Sequence, residues 1–126
     1  MRLLLDSAFV IDLMNGLPEA IARQARIHEV GDELVINEVV ICEVRAGLRG
    51  GGVERFGRLL EPIEFIQPGP ESALLAGGWR EKARSRGRHL SLADALIAAA
   101  ADSVGASVLT RNVKDFALTP VRVETY

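Results

Sequence analysis

The stretch "RLLLDS" at residues 2–7 sets three consecutive leucines directly against an aspartate. An unbroken apolar triplet offers no polar face to water. It therefore reads as a strand buried on both sides, the pattern of a parallel sheet covered by helices. Working outward, the same kind of run recurs at 34–36, 63–66, 108–109 and 121–123. Helical segments fall between these runs. The first covers 9–14, closed by Asn15-Gly16, and a second covers 19–30, with Pro18 in its first turn and Gly31 at its end. Asn37 stands where it caps a helix over 39–48, which the glycines at 50–52 break, and 53–60 forms another. The segment 71–85 is a long helix with Gly77-Gly78 as its weak point, and Ser91 caps an alanine-rich helix. Strands alternating with helices give an α/β fold: a single domain with a central parallel sheet of about five strands flanked by helices. In such a sheet, ligands sit beyond the carboxyl ends of the strands.

The bulk numbers suit that fold. The chain has 126 residues, 48% apolar and 25% charged, with a formal net charge of −2. Nothing global marks a nucleic-acid binder, so such a partner has to be held locally, by a patch or a metal ion. Cys42 is the only cysteine, which excludes an internal disulfide and a cysteine-rich zinc site. The opening apolar run stops at Leu5, short of the roughly 7–15 residues of a secretory core. The longest apolar run, 95–101, is far below the ~18 residues of a membrane span. The expectation is a soluble, cytoplasmic protein with no membrane partner.

Four carboxylates lie at strand ends or in helices beside them. Asp6 follows the first strand and has an alternative role as the N-cap of the next helix. Glu43 is the only acid between Val39 and Leu48, where a solvated helix face is the alternative. Asp94, three residues after Ser91, has capping-box spacing, yet it stacks with Ile97, Ala98 and Ala101 on a small-residue face. "LTRNVKDF" at 109–116 puts Thr110, Asn112 and Asp115 beyond the fourth strand, in what reads as a polar turn. Brought to one sheet edge, Asp6, Glu43, Asp94 and Asp115 would repel one another unless a cation neutralised them. A hard divalent cation answers that problem, because Mg²⁺ takes oxygen ligands and keeps several waters. His28 and His89 are not arranged as a zinc pair, so the expected metal is Mg²⁺ or Mn²⁺.

These motifs, "LLLDS", "ICEVRAGL", "LSLADALIAAAA" and "LTRNVKDF", resemble in order and spacing the PIN-domain ribonucleases, specifically the VapC-type toxins of bacterial toxin–antitoxin pairs. The resemblance implies a PIN-like parallel sheet and endonucleolytic hydrolysis of RNA. It carries Asp6, Glu43, Asp94 and Asp115 over as the catalytic, metal-binding acids, with Asp6 and Asp94 the firmest ligands. Ser7, Thr110 and Asn112 follow as groups that orient carboxylates, waters or the scissile phosphate. Metal-assisted hydrolysis needs no nucleophilic side chain, which agrees with the absence of a Ser–His or Cys–His pairing. The resemblance also implies an RNA substrate, a cognate VapB-type antitoxin whose C-terminal segment covers the acidic pocket, and a homodimer. Apolar helix faces such as 39–48 are candidates for the dimer contact.

"WREKARSRGRH" at 79–89 carries Arg80, Lys82, Arg84, Arg86 and Arg88. It is either a solvated helix face or a track for the RNA backbone, and Arg45, Arg49 and Arg111 are further RNA-binding candidates. Trp79 reads as core or as a base-stacking surface, and 5% aromatic content argues against an extended stacking platform. Two other classes compete. A response-regulator receiver domain requires a phosphoacceptor aspartate after its third strand, where this chain reads "FIQPGP". A catalytically silent PIN-like binding module is the remaining alternative, against which four intact acids argue.

Overall fold

The computed structural model describes all residues from Met1 to Tyr126. Its elements run β1 (Arg2–Leu5), α1 (Ser7–Met14), α2 (Pro18–Val30), β2 (Glu33–Ile36), α3 (Glu38–Ala46), α4 (Gly51–Leu60), β3 (Glu64–Phe65), α5 (Pro70–Ser85), α6 (Leu92–Ser103), β4 (Ser107–Leu109), α7 (Val113–Phe116) and β5 (Val123–Glu124). The five strands form one sheet in the order β3-β2-β1-β4-β5, and every pairing is parallel.

The leucine triplet is the centre of this sheet. Leu3, Leu4 and Leu5 are at most 1% exposed, each contributing about 1.5–3 kcal/mol through burial. Leu3–Leu5 pair with 107–109 of β4 on one side, and Arg2–Leu4 pair with 33–35 of β2 on the other. The chain builds outward from β1 through β2 to β3, then returns to add β4 and β5 on the opposite side. The strand order therefore reverses between β1 and β4, which opens a crevice beyond their carboxyl ends. Asp6 and Thr110 are the first residues past those two strands.

Local signals act largely as the sequence indicates. Gly31 ends α2 in the left-handed region at φ +75°. The Asn37 side chain accepts the Val40 N–H, and the Ser91 hydroxyl accepts the Asp94 N–H. Several boundaries differ. The helix expected over 39–48 stops at Ala46, and α4 begins inside the glycine run because only Gly50 takes a positive φ, +53°. Gly77-Gly78 does not interrupt α5, which Ala76 and Ala83 anchor against the α6 alanines. The third strand is an exposed edge of two residues, with the apolar character lodged in the buried Ile63 and Ile66 that flank it. The last strand starts at Val123, so it overlaps the expected 121–123 at one residue. Where a polar turn was expected after β4, the buried Phe116 pins a short helix, α7.

Candidate active site

The crevice is built on Asp6. The sheet ladder continues one step past β1, with the Asp6 N–H donating to the Leu109 carbonyl, and this fixes Asp6 beside Thr110. Asp6 occupies the N-cap position of α1, but its side chain makes no capping bond. Its Oδ2 instead accepts the Thr110 hydroxyl at 2.7 Å. Thr110 is fully buried, and its hydroxyl oxygen also accepts the Asn112 backbone N–H at 2.9 Å. One hydroxyl thus ties the end of β1 to the loop entering α7. The capping alternative for Asp6 is thereby set aside.

The other three acids lie close enough for their charges to bear on one another. Burial pushes the Asp6 pKa up; the Thr110 hydroxyl and Ser7 N–H oppose this, and the charges of Glu43 and Asp115 reinforce it. Asp94 is also raised, first by burial and then by Asp115 and Asp6, against the lowering effect of Ser91. Asp6, Glu43, Asp94 and Asp115 therefore share one field, supplied by β1, α3, α6 and α7. Their burial is unequal: Asp6 is buried, Asp94 half-buried, and Glu43 and Asp115 exposed. Asp94 is only half-buried, so its carboxylate meets both the interior and the solvent. It stands in the first turn of α6, above the fully buried Ile97, Ala98 and Ala101 of the same face. One half of the capping box is in place, since the Ser91 hydroxyl accepts the Asp94 N–H at 3.0 Å.

No basic side chain neutralises these acids. The chain's ion pairs are Met1–Asp32, Arg2–Glu33, Arg2–Glu64 and Arg111–Asp12, and none reaches the four carboxylates. No three His, Cys, Asp or Glu side chains by themselves enclose one point at metal-ligand range. An open, uncompensated set of oxygen donors suits a divalent cation that retains much of its water. It does not suit a zinc cage.

Asp12 was not legible as part of this edge. It is buried on α1, and both its carboxylate oxygens lie 2.8 Å from Arg111 Nη1, while Oδ2 also accepts the Tyr126 hydroxyl at 2.7 Å. The Tyr126 ring meets Phe9 edge-on at 5.0 Å, and burial together with Asp12 pushes its phenol pKa up. The signal was a lone acid in "SAFVIDLM", the same pattern that singled out Asp94. Arg111 is consequently a partner of Asp12 before it is an RNA contact. Arg80 is likewise committed, its Nε donating to the Leu90 carbonyl and closing the α5–α6 turn. Arg45, Arg84, Arg86 and Arg88 stand exposed. Beside Glu43, an apolar groove of about 600 Å³ runs between α3 and α6, lined by Val39, Cys42, Ala46, Leu92 and Leu96.

The chain is similar to known proteins over nearly its whole length. The chain is 29% identical over 117 residues to "Ribonuclease VapC19" of Mycobacterium tuberculosis, covering 93% of this chain and 94% of that protein. It is 28% identical over 118 residues to "Ribonuclease VapC1" of Haemophilus influenzae, covering 90% and 88%. Among solved structures, VapBC-1 from nontypeable Haemophilus influenzae superposes with a TM-score of 0.83 at 26% identity, covering 99% of this chain and 98% of that one. VapBC2 from Rickettsia felis, bound to a promoter DNA fragment, gives a TM-score of 0.86 at 20% identity over 100% and 99% of the two chains, a likeness of fold. The family model described as PIN domain matches residues 3–120, so the protein belongs to the PIN-domain family.

Proposed function

We propose that this protein is a divalent-metal-dependent endoribonuclease, the toxin of a toxin–antitoxin pair. The observation that carries the reading is the uncompensated cluster at the β1–β4 crevice: two carboxylates with raised pKa values, two more within their field, and no basic partner. The relatives named as ribonucleases support RNA as the substrate class. Asp6 and Asp94 are the residues to hold Mg²⁺ or Mn²⁺, with Glu43 and Asp115 as outer acids acting directly or through water. A cation bound there supplies water of lowered pKa and neutralises charge on the phosphate oxygens. Thr110 orients Asp6, while Ser7 and Asn112 border the space where the phosphate enters.

The apolar groove beside Glu43 offers a footing for an antitoxin segment, with its apolar side chains on Val39 and Leu96 and a basic residue over the carboxylates. The toxin–antitoxin complexes among the solved structures support that partner. Homodimerisation is the second association expected, and sedimentation of the chain alone reads it.

The test is cleavage of RNA by the purified chain with Mg²⁺ or Mn²⁺, with and without EDTA, beside Asp6→Asn and Asp94→Asn. Cleavage that depends on the metal and on both acids is the expected result. Cleavage surviving EDTA and both substitutions removes the metal mechanism. Inactivity of the antitoxin-free chain on tRNA, rRNA and mRNA favours a binding-only module.

A further inference from the structure

The basic run in α5 is sorted by the helix into separate faces. Trp79, Lys82, Ala83 and Arg86 recur at the spacing of one stripe, and with residues 117–120 they line a groove of about 260 Å³. Arg80 points away to the Leu90 carbonyl, and Arg84 and Arg88 lie outside the groove. Neither Lys82 nor Arg86 has an acidic partner, because the chain's ion pairs all lie elsewhere. Most other Lys and Arg side chains also lack an ion pair; what sets these two apart is that they line one groove together. The groove is also tied, through the chain and through packing, to two elements that carry the acids. Its far wall follows directly from α7, which carries Asp115, and Leu118 packs on the cluster of Ala83, Leu90 and Ala95 at the start of α6, beside Asp94.

We propose that this groove holds the backbone of single-stranded RNA to one side of the cleaved bond, with Lys82 and Arg86 as its phosphate contacts. The proposal rests on the ribonuclease reading and says where the substrate runs. Four carboxylates repel a polyanion even when partly neutralised, so an RNA entering the crevice needs cations flanking it. Phosphate contacts supply affinity and register without reading sequence. Trp79, the chain's one tryptophan, forms a wall of the groove and reports its occupancy.

The experiment measures binding of a fluorescein-labelled oligouridylate to the full chain in EDTA, which suspends cleavage, across a salt series. Lys82→Ala/Arg86→Ala is compared with Arg26→Ala/Arg58→Ala, an equal loss of exposed charge outside the groove and outside the basic run. The groove pair is expected to bind about tenfold more weakly at low salt, as two exposed phosphate pairs lost. Its log–log salt slope should be shallower by about 1.4, at roughly 0.7 per phosphate contact on a single strand. Unlabelled RNA should change Trp79 emission in the wild type and in the control pair, and not in the groove pair. Equal losses in both pairs, an unchanged slope, or RNA binding that leaves Trp79 emission untouched overturns the proposal. Intact RNA binding with altered self-association also overturns it, making the groove a protein contact. If the wild type neither binds nor cleaves RNA, the ribonuclease reading itself fails. If it does both and the groove pair matches it, only the groove assignment falls.

Discussion

Thr110→Val isolates the bond on which the crevice is built. The substitution keeps the shape and removes the hydroxyl that donates to Asp6 at 2.7 Å and accepts from the Asn112 N–H. Thr110 is fully buried and Asp6 is 4% exposed, so water has little room to replace the donor at the carboxylate. Asn112 is exposed, and its N–H finds water. The loss is therefore one hydrogen bond to an ionised acceptor, about 2 kcal/mol, or roughly 6–10 °C in Tm for a domain of this size. The effect has a pH signature. The hydroxyl lowers the Asp6 pKa against burial, so its removal raises that pKa further. Where Asp6 is protonated in both proteins the deficit is small, and it grows as pH rises through the folded-state pKa of Asp6. Urea unfolding in EDTA, at neutral and at acid pH, reads both quantities. A deficit below about 0.5 kcal/mol, within the ordinary scatter of substitutions, or one that is equal at the two pH values, refutes the reasoning.

Asp94→Asn should leave α6 capped, since Ser91 accepts a backbone N–H, while abolishing metal-dependent RNA cleavage and the Mg²⁺-induced rise in Tm. Differential scanning fluorimetry with and without Mg²⁺ reads this, and an unfolded variant that still binds metal would show Asp94 to be a cap only. In the metal-free wild type, the raised pKa values of Asp6 and Asp94 make the folded state bind more protons than the unfolded one above the ordinary 3.8. Stability from these groups is therefore greatest in acid and declines as pH rises through the folded pKa values, with Mg²⁺ reversing the decline; a flat apoprotein profile contradicts this. Arg111→Ala should cost about 1–2 kcal/mol, a buried carboxylate losing a partner that solvent already screens. In a double-mutant cycle with Asp12→Asn most of that cost should appear as coupling, and additive losses would show the pair to be inert.

The sheet and its edge were legible in short runs of residues. Leu3–Leu5 has no polar face and cannot be other than doubly covered, and β-rich runs separated by capped helices leave a parallel α/β order. Local chemistry also fixed Gly31, Asn37 and Ser91 as helix ends, because a positive φ or a side-chain acceptor acts within a few residues. The four acids were visible as residues out of keeping with their neighbours. The partner each carboxylate takes was not legible there, because it comes from a distant segment. Asp6 gives up its cap for a hydroxyl 104 positions away, and Asp12 is joined to Arg111 and Tyr126 across 99 and 114. Those partners meet because the strand order reverses between β1 and β4, a pairing that no spacing within either segment records. The basic run was ambiguous for the same reason. Leu90 commits Arg80, and residues 117–120 set Lys82 and Arg86 apart in one groove; both come from outside the run and reach it only through tertiary packing.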